Sequence, residues 1–213
     1  MSLRSRILGS IAALTLVGGT SAAVAVTPVN AATTACGAGC TALSAQKRGS
    51  GYVSAVVLGM AKVGQAVILS PAGQYSWEDF RLLYEGTVAT FYNAGIIGPA
   101  VGQTWPLNGV FEYEFAPNGS PTGLCLGTAV TAANGTAVTL QPCNTSSKVL
   151  WIPLSIDNIG GYEPLINGSD TVTATPYVLT AGKPGQGLST QELYLVAGTF
   201  APTQMWKNLS GVL

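Results

Sequence analysis

The stretch "GLCLGTAVTAANGTAVTLQPC" runs from Gly123 to Cys143, and Trp151 follows eight residues later. Leu124–Val130 and Ala137–Leu140 are short runs of alternating apolar residues, and Asn134-Gly135 between them is a turn signal. The stretch therefore reads as a β-hairpin with a cysteine at each end. A hairpin alone is marginal in water, so the rest of the chain must supply its partners.

Two other segments resemble it. "GQAVILSPAGQYSW" (Gly64 to Trp77) shares Gly, Ala-Val, Leu, Pro and a closing Trp with "GTAVTLQPCNTSSKVLW" (Gly135 to Trp151). "QELYLVAGTFAPTQMW" (Gln191 to Trp206) sets Leu193 on Val138, Leu195 on Leu140, Gly198 on Cys143 and Trp206 on Trp151. Upstream, "YVSAVVL" from Tyr52, "LCLGTAV" from Leu124 and "YVLTAG" from Tyr177 match as a first strand. The pairs Val67/Leu69, Val138/Leu140 and Leu193/Leu195 alternate with period two, as half-buried strands do. Three copies of strand, hairpin strand and Trp predict an all-β fold of three pseudo-repeats. Glu78 to Asn108 reads as an insertion in the first copy, with a short helix whose Leu82, Leu83, Tyr84 and Phe91 face the core.

Before the repeats, Arg4 and Arg6 precede an Ala/Val/Leu-rich run, and Val29-Asn30-Ala31 follows with small residues. This pattern predicts a secretory signal peptide over 1–31, an N-terminal arm over 32–49 and one domain over 50–213. The expected location is extracellular, without a membrane span after cleavage. In an exported chain, four cysteines predict disulfides. Spacing favours Cys125 with Cys143 and Cys36 with Cys40. The first bridge would contribute about 3 kcal/mol by limiting the unfolded chain.

Charge narrows function. Only 8% of residues are charged, and without Arg4 and Arg6 seven basic residues face nine acidic ones. That composition offers no basic patch for nucleic acid. The chain has no histidine, which excludes a Ser-His-Asp triad and His-ligated zinc. No cofactor, no metal and no catalysis are expected. Glu112 and Glu114 share one face of a strand in "VFEYEF". They are read as a solvent-facing pair, with Phe111, Tyr113 and Phe115 inward. Glu78 and Asp79 are also read as surface charges.

The hairpin led by Cys-Leu, followed by "NGTAVTLQPC" and a Trp, resembles the ricin B-type β-trefoil lectins. Their mark is a Gln-x-Trp in each of three repeats. Gln204-Met205-Trp206 matches it, while Val149-Leu150-Trp151 and Tyr75-Ser76-Trp77 keep only the Trp. The resemblance implies a β-trefoil with Trp77, Trp151 and Trp206 in the core. It also implies where sugar would bind: an aspartate after the first cysteine, an aromatic ring near the second, and an amide beside the Gln-x-Trp. Those positions are Gly127, Gln141 and Lys148 in the middle copy, and Thr180, Val196 and Thr203 in the third. In the first they are Val56, Ser70 and Gln74. No copy keeps the acid or the ring.

The expected function is carbohydrate binding, to a glycan or cell-wall polysaccharide, by a monomer with a non-standard site. Exposed aromatics at turns or strand ends are its candidates: Tyr162, Tyr177, and Tyr92 with Asn93. A protein-interaction or protease-inhibitor module and a structural surface protein stand as alternatives.

Overall fold

A computed structural model of the protein describes residues 40–46, 53–71, 76–154, 161–172 and 174–210. The predicted signal peptide, Cys36 and Gln74 lie outside them. The first repeat contains β1 (Cys40–Ala45), β2 (Val53–Val57), β3 (Val67–Pro71) and β4 (Asp79–Thr87). The second contains β5 (Gly109–Phe115), β6 (Leu124–Thr128), β7 (Thr136–Pro142) and β8 (Trp151–Pro153). The third contains β9 (Leu165–Asn167), β10 (Tyr177–Thr180), β11 (Ser189–Glu192) and β14 (Trp206–Ser210). Within it, β12 (Leu195–Val196) and β13 (Thr199–Phe200) form a separate small hairpin.

First and fourth strands build a barrel. Antiparallel ladders join β1 to β4, β4 to β5, β5 to β8, β8 to β9, and β14 back to β1. A Glu163–Trp206 bridge closes the remaining seam. The hairpins β2–β3, β6–β7 and β10–β11 cap one end. Closure leaves the barrel no free edge. Each hairpin touches the next: Ala66 bridges Thr139, Ile68 bridges Gly187, and β7 pairs with β11. This arrangement is a β-trefoil.

Three glycines set its pseudo-symmetry. Gly64, Gly135 and Gly185 have φ of 80°, 79° and 82°, a region that favours glycine. Their N–H groups donate to the carbonyls of Leu140, Thr190 and Leu69 at 2.8, 2.8 and 2.7 Å. The core repeats likewise. Leu43, Tyr113 and Leu165 come from first strands, and Ala55, Leu126 and Leu179 from second strands. Val67 and Val138 come from third strands, Leu188 lies immediately before β11, and Phe80, Trp151 and Trp206 come from fourth strands.

Several expectations are corrected by this register. Third-copy Leu188 and Thr190 occupy the places of Val138 and Leu140, not Leu193 and Leu195, because β12–β13 adds five residues before Trp206. Trp151 and Trp206 are core residues, and their Nε1–H groups donate to Leu126 O at 2.9 Å and Leu179 O at 2.8 Å. Trp77 is not in the core. It is 37% exposed, and Phe80 fills the first-repeat position. Cys40–Ala45, assigned to the arm, is the first barrel strand.

The inserted segment also proves shorter, because Asp79–Thr87 is the fourth strand of its repeat. What is added is α1 (Val88–Asn93) and α2 (Pro99–Thr104). Thr87 caps α1 by accepting from Thr90 N–H, and Pro99 opens α2 with its φ already suitable. Phe91, Ile97 and Val101 pack with Val110, Ile152 and Ile166 in a second apolar cluster. Tyr84, expected inward, is exposed. Among the described residues, no helix is long and apolar enough to cross a membrane.

Candidate functional site

The four expected ligand residues sit in three places. Tyr92 and Asn93 end α1, where the Tyr92 hydroxyl accepts from Gln103 Nε2 at 3.1 Å and its ring lies against Gly102. Tyr162 precedes β9, with the Lys207 ammonium 5.7 Å from its ring centre. Tyr177 opens β10, and its N–H donates to Asp170 at 3.0 Å. None of them lines the clefts that open in the second and third repeats.

Those clefts are equivalent under the pseudo-threefold. Thr128 N–H donates to Lys148 O at 3.0 Å in the second repeat, and Ala181 N–H donates to Thr203 O at 2.8 Å in the third. Each cleft opens between the second strand and the segment leading to the core Trp. In the first repeat, Trp77 stands where Lys148 and Thr203 stand, because Glu78-Asp79-Phe80 corresponds to Gln204-Met205-Trp206.

The middle cleft has a volume of about 330 Å³ and a polar lining that includes Gln141, Asn144, Ser146, Ser147 and Lys148. The Lys148 ammonium donates to Ala129 O at 3.1 Å, and Gln141 Nε2 donates to Thr139 Oγ1 at 2.8 Å. Asn144 Oδ1 accepts from Ser146 N–H at 3.2 Å. Gly127 lies beneath. A Cβ there would meet Val149 Cγ1 at 2.7 Å and Lys148 O at 3.0 Å. The packing thus leaves no room for an aspartate at this position.

The third-repeat cleft, about 340 Å³, is largely apolar, with Leu69, Pro184, Tyr194, Val196 and Pro202 in its wall. Val196 belongs to the extra hairpin, so Gln191 rather than Val196 is the counterpart of Gln141. Buried Gln204 ties this region together. Its Nε2 donates to Glu192 O at 2.7 Å and Thr180 Oγ1 at 3.2 Å, and its Oε1 accepts from Tyr194 N–H at 3.0 Å. The Gln of Gln-x-Trp is here a structural clamp.

The carboxylates are corrected too. Glu112 and Glu114 do point out of the barrel, opposite Tyr113 and Phe115, but both are buried. Glu114 pairs with Arg81 at 3.1 Å and accepts from Gly123 N–H at 2.9 Å. Glu112 accepts from Thr145 N–H at 2.7 Å. Burial pushes its carboxyl up, against two backbone N–H donors and with help from Glu85 and Glu114. Glu78 and Asp79 are buried as well. Asp170 is a buried brace for Val172 and Tyr177, raised by burial against three backbone donors.

Cys125 and Cys143 form the expected disulfide. Glu112 lies beside it, but sulfurs bonded to each other offer no thiolate to a metal. Cys40 is also disulfide-bonded, while Cys36 lies outside the described residues.

Alternation along "VFEYEF" identifies the face of Glu112 but not the loop that covers it. Gly185-Gln186-Gly187-Leu188 resembles Gly64-Gln65-Ala66-Val67 and was the available signal for the third-repeat register.

No protein-family model matches the chain, and curated proteins offer no match. Among solved structures, the chain is similar to the designed three-fold symmetric protein ThreeFoil. The TM-score is 0.51 at 15% identity, over 81% of this chain and 99% of that one. It is also similar to part of a mosquitocidal holotoxin, with a TM-score of 0.54 at 12% identity. That likeness covers 82% of this chain and only 17% of the toxin. At such identities the similarity shows the fold alone.

Proposed function

We propose that the protein is an exported, non-catalytic carbohydrate-binding module that uses the polar cleft of its middle repeat. The observation carrying this reading is a cleft of about 330 Å³ lined by amide, hydroxyl and ammonium groups, on a fold that resembles lectin trefoils. Such groups suit a ligand with many hydroxyls. Without a carboxylate acceptor or a stacking ring, binding should be weak, since charge-assisted hydrogen bonds are the strong ones. Export rests on the leader pattern and the Cys125–Cys143 bridge.

A glycan array that includes bacterial wall polysaccharides tests the reading on the disulfide-intact protein. Expected is a competable signal that Gln141→Ala and Asn144→Ala each reduce about tenfold, the worth of one good hydrogen bond. A folded protein with a blank array overturns it.

A second reading, docking of a protein, is favoured by Tyr194, Leu195 and Val196. These three consecutive apolar residues are exposed beside the apolar cleft. Runs of this kind mark contact surfaces.

A further inference from the structure

We infer that Glu112 is the positioning residue of the middle cleft, holding the Asn144–Ser147 wall in place from behind. The inference deepens the carbohydrate-binding reading, although its geometry stands without a ligand.

Glu112 is 3% exposed and sits on β5, whereas the wall lies on the connection from β7 to β8. Its Oε1 accepts from Thr145 N–H at 2.7 Å, and Asn144 N–H also bonds to the carboxylate. Its Oε2 lies 3.6 Å from Cys125 Sγ, a contact only, because a disulfide sulfur carries no hydrogen. Thr145 has φ of 53°, unusual for a β-branched residue and sustained only where surroundings impose it. The disulfide pins Cys143, the carboxylate pins the next two residues, and Asn144, Ser146 and Ser147 then face the cleft.

This prop belongs to one repeat. Thr41 opposite Phe80, Phe111 opposite Trp151, and Glu163 opposite Trp206 set the equivalence. Glu112 therefore corresponds to Ala42 and Pro164, which carry no acceptor side chain. The carboxylate, the disulfide and the polar cleft occur together in the second repeat.

The charges around Glu112 are few. Glu85 on β4 and Glu114 on β5 repel it, and Arg81 on β4 is engaged by Glu114. From the covering side come the neutral disulfide and the backbone N–H groups of Asn144 and Thr145. Burial raises its protonation range, so the wall should respond to mild acid.

The test is amide NMR of the full, disulfide-intact chain across pH. Expected in the native protein is a shared titration of the Asn144 and Thr145 amides, with a midpoint above the ordinary Glu value. Glu112→Gln keeps an acceptor and should abolish that titration while the fold persists. Glu112→Ala should lower exchange protection at Thr145 about tenfold or more relative to Leu140. An unchanged titration in Glu112→Gln overturns the inference, as does unchanged protection in a folded Glu112→Ala. Should Glu112→Ala not fold, the Glu112→Gln profile decides. A blank glycan array would end the binding reading and leave this measurement unaffected.

Discussion

Gly127 shows how one missing Cβ decides chemistry. An aspartate here, as in the lectins the hairpin resembles, would need a side chain where Val149 and the Lys148 carbonyl already press. Gly127→Asp should therefore lower stability by about 1–3 kcal/mol, the usual cost of overpacking, without creating a sugar site. A thermal melt and a binding assay check both halves. Asp79 makes the opposite point, since an acid is retained where water is scarce. Burial lifts its carboxyl from 3.8 to about 6, against the Asn118 N–H and aided by Glu78. The folded state then holds the proton more tightly than the unfolded chain. Asp79's contribution to stability is full below about pH 4 and is lost as pH rises through about 6. Asp79→Asn should raise stability at pH 7 by on the order of 1–3 kcal/mol, and flatten the decline in Tm between pH 4 and 6. A Tm that falls equally steeply in the variant would refute this account.

The third repeat differs from its siblings by one element, the β12–β13 hairpin. Its turn residues Ala197 and Gly198 have φ of 52° and 81°, and its Leu195 and Val196 side chains are exposed. Removing Leu195–Thr199 should change stability by no more than about 1 kcal/mol, as surface changes do. A larger loss in denaturant melts would mean that the hairpin supports the barrel. This element also explains what sequence could reveal. Gly64 and Gly135 with Ala-Val and Leu made two repeats legible, because turn and core impose the same spacing. The third was blurred by a five-residue insertion and by Thr190 in place of Leu140. In the first, Phe80 had replaced the Trp, so exposed Trp77 drew the alignment three residues too early. Gln141 and Lys148 were reached only through the family resemblance, as positions that lack the usual sugar contacts, and the aromatic candidates chosen from turns lie away from both clefts. The role of Glu112 was not, since alternation assigns a face and cannot tell what packs over it.

Across the whole molecule, three similar units have diverged in what they offer solvent while keeping one interior. The second presents amides and hydroxyls, the third an apolar wall, and the first exposes Trp77. The barrel also brings its first and last strands together. Thr41 lies opposite Ser210, and Ala45 lies opposite Trp206. Anything joined ahead of β1 or behind β14 thus leaves from one corner. Ala45, at the other end of β1, lines the apolar cleft, about 17 Å along the strand from Cys40 at the usual rise per residue. A tether attached at either flank would therefore pull on the molecule one strand length away from that cleft.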